Sequence, residues 1–96
     1  MADLDNGFYD RADAHIHLSN AQITEEVTRG KASASMMYAN ARFSAWVSAC
    51  ACRSAEEMED QREEQIAYFV EQFRLMFEEH YSDYASHFDR YMKPNP

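Results

Sequence analysis

The chain has 96 residues, of which 46% are hydrophobic and 14% aromatic, and it carries a net charge of −8. This length suits one domain without a second core, and this much apolar material argues against intrinsic disorder. The acidic surplus repels phosphate backbones and anionic lipid, which disfavours direct nucleic-acid binding and membrane association and favours basic protein partners.

Breakers are few. The glycines are Gly7 and Gly30, and the prolines, Pro94 and Pro96, fall in the last three positions. Alanine favours helices and β-branched residues favour strands, and alanine is far the more frequent here. The expected fold class is all-α, a three-helix bundle in a single domain over residues 1–96. The opening Met-Ala-Asp-Leu-Asp has no basic region followed by an apolar run, so no signal peptide is expected. No apolar run approaches the ~18 residues of a membrane span. Cytoplasmic residence is the resulting expectation, and the closely spaced Cys50 and Cys52 do not suggest a secreted disulfide scaffold.

The first helix is expected over about 7–27. Phe8, Ala12, Ile16, Ser19, Ile23 and Val27 recur at helical steps, Asp5 or Asn6 can cap the start, and Gly30 can end it. The second is expected over about 32–52, with Ser33 or Ser35 as cap. It is small or apolar nearly all round, with Asn40 and Arg42 its strongly polar interior members. Such a helix should be buried on most sides, so it is placed at the centre of the bundle. The third is expected over about 54–91. It begins with the capping box Ser54-Ala-Glu-Glu57 and continues with helical spacing through Ile66, Phe69, Phe73, Phe77, Tyr81, Tyr84, Phe88 and Tyr91. Unbroken, it would be roughly 55 Å long, far beyond a globule whose radius of gyration is ~12–13 Å. A kink near Ser82 and Asp83, or a second copy covering the overhang as a homodimer, would resolve the mismatch. Pro94-Asn95-Pro96 reads as a tail.

The segments Phe8-Tyr-Asp-Arg-Ala-Asp13, Gly30-Lys-Ala-Ser-Ala-Ser35 and Tyr38-Ala-Asn-Ala-Arg-Phe-Ser-Ala-Trp46 resemble a family of short proteobacterial proteins catalogued as a domain of unknown function. The resemblance implies a bacterial cytoplasmic protein and transfers no activity, cofactor or catalytic residue.

Four features are candidates for function. Arg42, in the most apolar helix, is expected either to pair with an acid of a neighbouring helix, such as Asp13 or an acid of the third helix, or to bind an anion in a pocket with Tyr38 and Asn40. The ion pair is the favoured reading, because a buried guanidinium normally finds a carboxylate. The run Glu56, Glu57, Glu59, Asp60, Glu63 and Glu64 suits the positive end of a helix dipole and could also dock a basic partner. The aromatic stripe reads first as core, and its C-terminal part, with Tyr81, Tyr84, Phe88 and Tyr91, as a partner surface. The histidines, His15, His17, His80 and His87, lack the Glu-x-x-His pairs of a helical metal site. No metal, cofactor or catalytic residue is expected, and Cys50 and Cys52 read as buried small residues. The favoured function is a non-enzymatic protein-interaction module that self-associates. The alternative is a small-molecule or metal-binding helical protein with a pocket near Arg42.

Overall fold

The structure is a computed structural model that describes residues 5–93. Every regular element among the described residues is a helix. The chain divides into two compact units, Met1–Arg53 and Ser54–Pro96. The expected tail at 94–96 and the first four residues of the opening segment lie outside the described residues.

The first unit holds α1 (Phe8–Gln22) and α2 (Arg29–Cys50), which contact each other. Gly7 occupies the N-cap of α1 and makes no side-chain cap bond. Asp5 acts one step further out. Its carboxylate accepts the Gly7 N–H at 2.9 Å and a two-point ion pair from Arg11, at 3.0 and 2.8 Å. The Arg11 guanidinium, then the Gly7 N–H, hold the Asp5 carboxyl below its ordinary value.

α1 ends at Gln22 rather than near Val27. The reason is local: Ile23, Thr24, Val27 and Thr28 are β-branched, and threonine hydroxyls compete for backbone donors. Thr24 Oγ1 accepts the Glu26 and Val27 N–H groups at 3.2 and 3.1 Å, which closes a turn instead of another helical coil. Thr28 is the N-cap of α2, and its hydroxyl accepts the Lys31 N–H at 3.2 Å. Gly30 therefore sits in the first turn of α2 and does not terminate α1. Ser33 and Ser35 lie inside α2, where Ser35 Oγ donates back to the Lys31 and Ala32 carbonyls.

The expected burial of α2 is not what the structure shows. Ala32, at 3% exposure, is the one buried apolar side chain among the described residues. Tyr38 and Trp46 are 66% and 59% exposed. Within its own unit α2 has a single helix, α1, to cover it, and its apolar residues run around its whole circumference. Cys50 is likewise exposed rather than buried, and Cys52 is half-buried beyond the end of the helix.

The second unit comprises α3 (Ala55–Asp60), α4 (Arg62–Ser86) and α5 (Phe88–Met92). Ser54 caps α3 as its spacing suggests, accepting the Glu57 N–H at 3.1 Å. The interruptions fall at Gln61 (φ −96°, ψ 0°) and His87 (φ −125°, ψ 36°). The interruption expected near Ser82 and Asp83 falls four residues later, at His87, and both of those residues lie within α4. Helical hydrogen bonds meet at each break residue: the Gln61 N–H donates to the Glu57 carbonyl and its carbonyl accepts from Gln65, and the His87 N–H donates to the Asp83 carbonyl and its carbonyl accepts from Tyr91. The region read as a third helix is thus helical nearly throughout.

At its C-terminal break the Asp83 side chain reaches forward. Its carboxylate lies 3.1 Å from His87 Nδ1 and accepts the Tyr91 hydroxyl at 2.9 Å. Asp83 acts as a clasp across a break placed four residues later.

Candidate interaction surface

On α2 a four-residue step turns the helix by about 400°, so residues four apart stack on one side. Tyr38, Arg42 and Trp46 follow that step. The Arg42 guanidinium lies 5.1 Å from the Tyr38 ring centroid, and Phe43 packs on Trp46 at 5.4 Å. With Ala39 they line an open concavity of ≈ 580 Å³. All five residues belong to one helix face, so the space is open to solvent rather than enclosed.

The expected carboxylate partner is missing: none of the described ion pairs involves Arg42 or Asp13. Asn40 does not join Tyr38 and Arg42. It is two residues from each, so it points elsewhere on the helix, and its amide oxygen accepts the Ser44 hydroxyl at 3.2 Å. Phe43 and Trp46 are the members that attention to polar residues overlooks, and the four-residue step from Tyr38 and Arg42 is the signal that finds Trp46.

On α4 the same geometry builds a longer surface. Phe73 and Phe77 stack with centroids 5.8 Å apart, and Phe77 and Tyr81 with centroids 5.7 Å apart. These rings are 47%, 54% and 66% exposed. Tyr84 meets Tyr91 edge-on at 5.1 Å, so the surface runs across His87 into α5. Phe88 is also half exposed.

Salt bridges flank this face. Arg74 reaches Glu71 at 2.9 Å and Glu78 at 2.7 Å, one helical turn to either side. The hydrogen bond from Arg74 holds the Glu71 carboxyl below the usual carboxylate range. Arg62 does the same for Glu59, at 2.6 Å. Because both carboxyl values are depressed on folding, these contacts stabilise above the ordinary glutamate value and are lost as pH falls through the lowered one.

Of the acidic run, Glu56, Glu59 and Asp60 are exposed and Glu57 is half-buried at the capped start of α3. All four histidines are exposed, and no group of three His, Cys, Asp or Glu side chains among the described residues is placed to hold a metal ion. No helix among the described residues is long and apolar enough to cross a membrane.

These elements define an all-α protein that presents a row of solvent-exposed aromatic rings beside an acidic helix start. Residues 8–85 match the family described as "Protein of unknown function (DUF3144)", and the chain belongs to that family. It is also similar to the protein NB7890A from Shewanella sp, whose structure was solved by NMR. The identity is 31%, the match covers 99% of this chain and 100% of that one, and the TM-score is 0.79. The likeness carried by Phe8–Asp13, Gly30–Ser35 and Tyr38–Trp46 is thereby confirmed, and all three segments lie within the matched residues. None of the curated proteins matches the chain.

Proposed function

We propose that this protein is a non-enzymatic, cytoplasmic interaction module that binds another protein chain through the aromatic face of α4 and α5. The observation that supports it most is the stack Phe73, Phe77 and Tyr81, held in order along α4 yet about half exposed. Leaving such rings in water forgoes the burial that normally makes aromatic side chains stabilising, and contiguous exposed apolar patches mark partner surfaces. The acidic start of α3 adds long-range attraction for a basic partner and repels nucleic acid. The same reading makes self-association the means by which apolar faces are covered.

The test compares what the protein retains when isolated from its native host with what a Phe73→Glu/Phe77→Glu variant retains. A specific protein should stay with the wild type, be lost from the variant, and be held less at higher salt where acidic contacts contribute. Identical retention by both forms would remove the aromatic face from the account.

A second reading is favoured by the state of Arg42. Its charge is met by the Tyr38 ring and by no described carboxylate, which leaves a guanidinium beside the aromatic lining of Phe43 and Trp46. That arrangement suits a small anion carrying an apolar group.

A further inference from the structure

Resting on the reading of α4 and α5 as a contact surface, we infer that α5 is a strap latched to the end of α4 through Tyr91, and that this latch assembles the C-terminal part of the surface. The break supplies the hinge. His87 leaves helical geometry at φ −125° and ψ 36°, and residues that end an element are where such changes are absorbed. α5 cannot hold itself in place, because it has five residues against the roughly 12–15 that an isolated helix needs. Nor does burial hold it, since every residue from Phe88 to Met92 is exposed.

The side-chain contacts that reach back over the break converge on Tyr91. Its hydroxyl donates to Asp83 Oδ2 at 2.9 Å, and its ring meets Tyr84 edge-on at 5.1 Å. His87, at the hinge, adds an edge contact to the same ring at 6.2 Å. The other contacts of this segment, Arg90 on Tyr91 and Lys93 on Asp89 and Phe88, stay on their own side of the break. His87 also prepares Asp83 for the latch. Its Nδ1 faces two acceptors, Asp83 Oδ1 at 3.1 Å and the Asp83 carbonyl at 3.2 Å, so it carries the hydrogen and pins one carboxylate oxygen. The second oxygen is left for the phenol. With Tyr91 latched, the aromatic surface continues from Tyr84 into α5. Released, so short a segment unwinds, and the ordered face ends at Tyr84.

Amide hydrogen exchange of the full chain, followed residue by residue by NMR, reads the latch without any partner. The reporters are the Tyr91 and Lys93 N–H groups, which donate to the His87 and Asp89 carbonyls. Tyr91→Phe keeps the ring and removes the hydroxyl. It should speed exchange at both reporters by about three- to tenfold, the worth of a half-exposed hydrogen bond to a carboxylate. Asp83→Ala should speed it at least as much, and adding Tyr91→Phe to Asp83→Ala should change little further, because the bond is already gone. Amides in the middle of α4, from Phe73 to Glu79, should exchange as in the wild type. Unchanged exchange at the reporters in Tyr91→Phe would overturn the latch. Additive effects in the double variant, or lost protection spreading through α4, would overturn it too. Retention of a protein from the native host judges the contact surface separately, so either reading can fail without the other.

Discussion

Arg42 is held by an aromatic ring, and this changes what its substitution should do. A guanidinium buried against a carboxylate would leave an unpaired charge when removed, at a cost of about 3–5 kcal/mol. An exposed cation over a ring contributes only about 0.5–1 kcal/mol. Arg42→Lys should therefore leave the fold intact and lower the unfolding free energy by less than about 1 kcal/mol, read from a denaturant titration followed by circular dichroism. Binding to the α4 face should be unchanged. A variant that folds normally but fails to bind a small anion retained by the wild type would transfer the functional weight to Tyr38, Arg42 and Trp46. The sequence made Arg42 conspicuous, since it is the charged residue in the interior of a helix that is otherwise small or apolar apart from Asn40. The carboxylate expected to pair with it, such as that of Asp13, is not found there, because pairing depends on which helix lies across from Arg42 and helical spacing describes only the helix itself.

At the scale of elements, side chains that accept backbone N–H groups decide the boundaries. Thr28 sets the start of α2 and Ser54 the start of α3, each through one hydroxyl on a backbone donor three residues on. Thr28→Ala should destabilise the first unit by about 1 kcal/mol and lower its midpoint in thermal unfolding, whereas Ser33→Ala should have little effect. Equal effects would return the cap to the serines. Ser54 was legible because a capping box has a fixed spacing, and the apolar stripe of α4 because its period is unambiguous. The turn after Gln22 was less so. Gly30 offered a familiar terminator and drew attention from the threonines that compete earlier in the chain. The break at His87 was misplaced for a related reason: Asp83 is a good capping residue, but here its side chain reaches forward to His87 and Tyr91 instead of ending its own helix.

For the molecule as a whole, the fold class and its helical segments were readable, and the burial of those segments was not. Periodicity shows that a face is apolar; it does not say whether the covering surface comes from the same chain or another. That distinction separates the expected central α2 from the exposed one observed, and it carries the proposed function as well. The most direct measurement is hydroxyl-radical footprinting of the protein in extract from its native host, compared with the dilute purified chain. Phe73, Phe77 and Tyr81 should be protected in the extract, while Tyr68, which lies well around α4 from the stripe, should oxidise equally in both. Equal oxidation of all four rings would contradict the claim that this face works by being covered.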